Sequence, residues 1–224
     1  MMKPKLSDTV EDYLKIVYKL TADQDRAGTG EIAEELGVNP ASVTDMLQRL
    51  AGEEPPLVDY IKHHGAALTP QGKQAALEII RHHRLLELFL HDVLGYSWDQ
   101  VHLEADRLEH VISELFEEKV AEFLGNPDRG LHGEPIPSAS LEMPREERVF
   151  LHDLQPGQTG LIRSVEDEDS GFLRYLEEQG LVPGTSFKVL EISPYDQTLH
   201  LQLEGKEQKN ILGTGVTSRI LVEV

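Results

Sequence analysis

"GTGEIAEELGVNPASVTDMLQRLA" (Gly28–Ala51) reads as two short helices joined by a tight turn. The first, "GTGEIAEELGV", is expected to stop near Gly37. In the second, Asn39 is a candidate N-cap and Pro40 occupies the first helical position, where its missing N–H costs nothing. Val43, Leu47 and Leu50 then fall on one apolar stripe. Upstream, "SDTVEDYLKIVYKL" (Ser7–Leu20) places Val10, Leu14 and Val17 at helical spacing, with Ser7 or Asp8 able to cap it. Downstream, "LVDYIKHHGAALTP" (Leu57–Pro70) alternates as a hairpin around "HHG". Three helices followed by a hairpin make a winged helix-turn-helix.

That motif presents small polar residues at the start of its last helix, where they can reach base edges and phosphates. The candidates are Asn39, Ala41, Ser42, Thr44, Asp45 and Gln48. Arg49, Lys62, His63, His64 and Lys73 are candidate phosphate contacts. Asp45 is unwelcome beside phosphate, although a carboxylate can accept from cytosine N4. The alternative is a helical packing unit without DNA contact.

The 224 residues carry 40 acidic against 21 basic side chains, a formal charge of −19. That excludes a general nucleic-acid coat and leaves room for a small local DNA surface. With no cysteine, disulfides, thiolate metal sites and cysteine nucleophiles are excluded. The chain has neither a membrane-length apolar run nor a signal-type leader, so a cytoplasmic protein is expected. No glycine-rich phosphate loop, "GxSxG" or "HExxH" occurs, so an enzyme is not expected.

A long helix is expected from a Thr69 cap and Pro70 to about Leu94. The next, opened by a Ser97/Gln100 capping box, should run from "VHLEADRLEHVISE" (Val101–Glu114) to Gly125. On such a helix His102, Asp106, Glu109 and His110 would share an arc of roughly 100°. Two imidazoles and two carboxylates on one face are the inventory of a divalent-metal site. A second face (Val101, Leu108, Ile112, Leu115, Phe116, Phe123) is expected to form a homodimer contact. "GNPDRGLHGEPIPSASLEMPREER" (Gly125–Arg148) reads as linker and loop. The remainder is short β-prone runs with one helical insert, "SGFLRYLEEQG", and suggests a small β-barrel.

Asp12, Asp106, Glu109 and His110 would make a hard oxygen/nitrogen site, and His83, Glu87 and His102 a second one. The plain alternative is chance, since a chain with 40 acidic residues and 10 histidines produces such pairs freely.

Together "TVEDYLKIVYKL", "VNPASVTDMLQRL", "LTPQGKQAALEIIRHHRLLELFL", "VHLEADRLEHVIS", "HGEPIP" and "GLVPG" resemble the diphtheria-toxin-repressor family of iron- and manganese-dependent regulators over nearly the whole chain. The resemblance implies a mainly α protein with a C-terminal β domain: a winged helix-turn-helix over 1–74, a helical dimerisation and metal domain over 75–143, and an SH3-like barrel over 144–224. It implies a homodimeric repressor of metal-homeostasis genes that binds double-stranded operator DNA and takes no small-molecule substrate. The same two ligand sets match, holding about two ions per chain, Mn²⁺ or else Fe²⁺. The barrel would add a ligand near Glu168, Asp169 or Ser170, with Asp169 the choice.

The chain also departs from the family pattern. Iron-type members carry methionine and cysteine where this chain has Asp12 and Asp106, which moves Mn²⁺ ahead of Fe²⁺. The manganese type carries glutamate where this chain has Lys15, which argues for two separate mononuclear sites. The expected mechanism is repulsion among the site carboxylates without metal, and with metal a clamp on the first helix that fixes recognition-helix spacing at about one DNA turn. The rivals are a winged-helix regulator of a non-metal signal, and a metal buffer or metalloenzyme.

Overall fold

The computed structural model describes residues 6–166, 169–206 and 209–224. They form two compact units. The first runs through His83 and adds Leu108–Ile112 and Pro137–Met143; the second is Arg84–Arg107, Ser113–Ile136 and Pro144–Val224.

The first unit holds α1 (Asp8–Leu20), α2 (Thr29–Leu36), α3 (Pro40–Ala51), strands β1 (Val58–Ile61) and β2 (Gly65–Leu68), and the start of α4 (Pro70–Asp92). The apolar stripes meet as their spacing requires. Val10, Leu14 and Val17 of α1 and Val43, Leu47 and Leu50 of α3 are buried together with Ile32 and Val58. Burying each such side chain stabilises the fold by about 1.5–3 kcal/mol. Asn39 caps α3 by accepting from the Ala41 N–H at 2.8 Å. Gly37 ends α2 in the left-handed region. Ser7 stands at the α1 cap but uses its carbonyl, which accepts from Val10 N at 2.8 Å. Thr69 Oγ1 accepts from Gly72 N at 3.1 Å at the start of α4.

β1 and β2 pair antiparallel, Val58 opposite Leu68 and Ile61 opposite Gly65. Ala27 adds an isolated bridge to Ala66, with bonds of 2.8 and 2.9 Å. This bridge pins the two-stranded hairpin to the α1–α2 connection.

Beyond α4 three expectations fail. The stretch from Val101 to Gly125 is two helices, α5 (Val101–Leu108) and α6 (Glu114–Phe123). Ser113 breaks the run: its hydroxyl accepts from Phe116 N at 3.2 Å and caps α6, with Glu114 and Glu117 in the first turn. A serine that can satisfy an orphan N–H favours a cap over a helix interior. Glu109 and His110 therefore lie in the turn after α5 and not on its face. The expected continuous apolar face is broken as well. Val101 is fully buried, whereas Leu115, Phe116 and Phe123 of α6 are exposed. The Ser97 hydroxyl donates to Asp99 at 2.7 Å instead of closing a capping box with Gln100.

The C-terminal domain is a five-stranded antiparallel sheet in the order β6-β5-β4-β3-β7. The strands are β3 (Thr159–Val165), β4 (Ser186–Ile192), β5 (Leu199–Leu203), β6 (Lys209–Leu212) and β7 (Ile220–Glu223). Register shifts at Ile162/Ser164 and Val189/Glu191 supply the local bends a small curved sheet needs. Helix α7 (Ser170–Gln179) closes the core with Leu173 and Leu176. Trp98, from the segment before α5, packs into that same core.

Gly65 has φ +89°, and a Cβ there would stand 2.2 Å from the Ala27 carbonyl oxygen. Gly65→Ala is expected to cost about 1–3 kcal/mol. The cost should appear as a lower urea midpoint for the first unit.

Candidate metal centres and DNA-facing surface

The first unit gathers a dense polar cluster around Glu109, which is 1% exposed. Asp12 and Glu11 come from α1, while Glu109 and His110 come from the turn after α5. His110 Nε2 lies 3.1 Å from Asp12 Oδ1 and 3.6 Å from Glu109 Oε1. On its other edge, His110 Nδ1 lies 2.7 Å from Glu11 Oε2. A neutral imidazole that donates Nδ1–H to Glu11 turns its Nε2 lone pair toward Asp12 and Glu109. Asp12, Glu109 and His110 each offer one donor atom, all within 4.8 Å of one another. Donors about 2.1 Å from an octahedral ion stand about 3 Å apart, so this donor set fits a hard divalent cation.

Lys15, one turn along α1 from Asp12, enters the same cluster. Its Nζ donates to both Glu109 oxygens at 3.0 Å and lies 3.2 Å from His83 Nδ1. His83 Nδ1 also contacts Glu109 Oε2 directly. His82 Nδ1 donates to the Glu109 carbonyl at 3.1 Å and fixes the turn. Asp12 and Glu109, two of the carboxylates expected to repel one another, thus lie among cationic and imidazole groups.

The second unit holds a second cluster. Glu87 on α4 is 1% exposed, and its Oε1 lies 3.4 Å from His102 Nδ1 on α5. His102 Nε2 is 3.3 Å from Asp106 Oδ2, one turn further on. Asp106, grouped with Asp12 from sequence, thus has a close partner in His102. His83, grouped from sequence with Glu87 and His102, contacts Glu109 in the first unit.

Sequence reasoning passed over His132. Its Nε2 stands 3.8 Å from Glu87 Oε1, and both ring nitrogens are buried without a hydrogen bond among the described residues. Buried imidazole nitrogens without partners are uncommon, and a metal ion would satisfy one of them. The loop is held by β3: Val165 N donates to the His132 carbonyl at 2.9 Å. Gly133, at φ +86°, lies so close to Arg163 that a Cβ would meet its carbonyl oxygen at 1.9 Å. A lone histidine in a Pro/Gly-rich stretch has no periodic signal, so only the tertiary pairing reveals it. Glu11 was passed over for a similar reason, as one more acid in an acidic chain.

Asp169 caps α7, its Oδ1 accepting from Phe172 N at 2.7 Å. Ser170, the next residue, donates to the Asp99 carbonyl at 3.0 Å. Glu168 lies outside the described residues.

On the winged helix, Ala41, Ser42, Asp45, Gln48 and Arg49 of α3 are exposed, as are Lys62, His63 and His64 at the hairpin tip and Lys73 on α4. Thr44 is half-buried, and its hydroxyl donates to the Pro40 carbonyl at 3.1 Å. The Asn39 side-chain oxygen is committed to the α3 cap. Arg26 braces the wing, donating to the Asp59 carbonyl at 2.9 Å and pairing with its carboxylate. No helix among the described residues is long and apolar enough to cross a membrane.

Comparison with known proteins agrees with this layout. Residues 5–66 match the iron-dependent-repressor N-terminal DNA-binding domain, residues 69–138 the iron-dependent-repressor metal-binding and dimerisation domain, and residues 149–224 the FeoA domain. The iron-dependent repressor IdeR of Mycobacterium leprae is 31% identical over 201 residues, covering 84% of this chain and 86% of that protein. The HTH-type transcriptional regulator MntR of Bacillus pumilus is 35% identical over 105 residues, 47% of this chain and 71% of that one. Among solved structures, a manganese-dependent transcriptional repressor in complex with manganese superposes with a TM-score of 0.87 at 33% identity, covering 95% of this chain and 98% of that one. ScaR with bound Zn²⁺ superposes at 0.79 and 31% identity, covering 96% and 98%. With a winged helix, converging carboxylate and imidazole donors and a β domain matched along nearly its whole length, the chain belongs to the iron-dependent repressor family, the diphtheria-toxin-repressor group of metal-dependent transcriptional repressors.

Proposed function

We propose that this chain is a homodimeric, metal-activated transcriptional repressor, with Asp12, Glu109 and His110 as the activating site. The observation that carries the reading is the convergence of those donors within the unit that contains the winged helix. Two of them belong to the turn after α5 and the third to α1, so a shared ion would tie α1 to that turn. Glu11 orients His110 through Nδ1. Such an ion would supply the positive charge and directional bonds that hold the three donors at fixed spacing. The chain then samples the DNA-competent geometry more often. Moving a 1:99 population to 99:1 takes about 5.5 kcal/mol of differential affinity.

The second site is Glu87, His102 and His132, with Asp106 reaching His102; any contribution from Asp169 would use the oxygen that does not cap α7. Two sites correspond to about two ions per chain. The oxygen and imidazole donors, with no cysteine in the chain, favour Mn²⁺ and admit Fe²⁺. Zn²⁺ should bind more tightly in vitro by the Irving–Williams order, so affinity alone does not name the physiological ion. The exposed Leu115, Phe116 and Phe123 of α6 are the proposed dimer contact. Phe116 and Phe123 meet Phe89 edge-on, each at 6.4 Å between ring centroids. On the DNA, α3 reads the major groove and Lys62, His63 and His64 meet the backbone. The domain limits proposed are 1–74, 75–143 and 144–224, in a cytoplasmic protein without enzymatic activity.

Duplexes selected from a random pool in the presence of Mn²⁺ provide the test, read by fluorescence anisotropy. Binding is expected to vanish with chelator and to be lost in Asp12→Ala even at saturating Mn²⁺. Undiminished binding by the metal-stripped wild type would rule out metal activation. On the same duplexes Arg49→Ala should weaken binding about equally for all sequences and flatten the salt dependence by about one counter-ion. Trp98 is the chain's only tryptophan, its ring 4.8 Å from that of His132. Paramagnetic Mn²⁺ is expected to quench its emission in wild type and in Asp12→Ala, but not in Glu87→Gln or His132→Ala. Equal quenching in all four would remove His132 from the second site.

A further inference from the structure

We propose that the Lys15 ammonium is a tethered cation that occupies the second cation position of the Glu109 cluster, so that this centre takes one divalent ion and not two. The inference rests on the reading of Asp12, Glu109 and His110 as a metal site. Glu109 is 1% exposed, and a carboxylate so buried requires opposite charge close by. Its two oxygens face different neighbours. Oε1 lies 3.6 Å from His110 Nε2, which in turn is 3.1 Å from Asp12. Oε2 contacts His83 Nδ1 on the other side. Two donor pockets thus share one carboxylate, the arrangement that bridges a pair of metal ions about 4 Å apart.

Lys15 Nζ lies in the second of these pockets. It is 3.0 Å from each Glu109 oxygen and 3.2 Å from His83 Nδ1. The side chain is 18% exposed, with its stem anchored on α1 three residues after Asp12. A protonated lysine has three donors and no lone pair, so it satisfies both Glu109 oxygens without being able to ligate a metal. It also repels a divalent ion from the His83 side and lessens the negative charge Glu109 offers on the Asp12 side. Lys15 therefore sets both the number of ions the centre holds and the strength with which it holds the first.

The test counts bound Mn²⁺ by electron paramagnetic resonance in full-length protein carrying Glu87→Gln and His132→Ala, which silence the second site. With Lys15 intact, one ion per chain is expected, with the spectrum of an isolated ion. Lys15→Glu replaces the ammonium with a ligand, and two ions per chain with an exchange-coupled spectrum are expected. Lys15→Met removes the charge without adding a ligand; one ion is expected, bound about tenfold tighter or more. Far-UV circular dichroism matching the parent shows that each variant is folded. A count of one in Lys15→Glu, or weaker binding in Lys15→Met, overturns the proposal and leaves the Asp12–Glu109–His110 site standing. A count of zero with Lys15 intact overturns the site assignment itself.

Discussion

Glu109 is the constraint around which the first unit is arranged. A carboxylate removed from water must be met by charge or hydrogen-bond donors, and few side chains can reach it at once. This chain brings them from three places. Lys15 reaches down from α1, His83 comes from α4, and His110 is the next residue in the turn. His82 secures the same turn through the Glu109 carbonyl. The polar cluster therefore joins segments far apart in the chain, α1 near its start and the turn after α5 near its middle. Anything that changes the charge at this point changes how α1 is held, and α1 packs directly against the other helices of the winged motif.

The same economy bears on DNA. A chain with formal charge −19 approaches a polyanion against background repulsion. The winged helix nonetheless exposes Arg49, Lys62, His63, His64 and Lys73 along α3, the hairpin tip and the start of α4. Local positive surface and overall negative charge coexist because screening confines electrostatics to about 8–10 Å at physiological salt.

The second unit shows a β domain supporting a polar cluster on helices. The loop carrying His132 is bonded to β3, and Gly133 admits β3 so closely that no side chain fits between them. Trp98 joins the sheet core while its ring also faces His132. The sheet thereby places an imidazole that no helix carries, beside Glu87.

Local rules made much of this protein legible from its sequence. The stripes of α1 and α3, the Asn39 and Thr69 caps, the Gly37 stop and the hairpin turn all depend on neighbours within a few residues, and each formed as the pattern requires. Donor types were visible too: Asp12, Asp106, Glu109 and His110 stood out by residue type, and the fold brings Asp12, Glu109 and His110 together. The sequence pattern misled at Ser113, where helical periodicity continues across a serine that instead caps a new helix. Periodicity records which residues favour a face; it does not record whether a cap will cut the helix between them. Lys15 could be flagged by its spacing from Asp12, but its seat on Glu109 could not. Nor could the roles of Glu11 and His132, because the partner of each lies dozens of residues away. Tertiary structure alone decided these, since burial of Glu109 and Glu87 selects partners from the whole chain and no local preference encodes that choice.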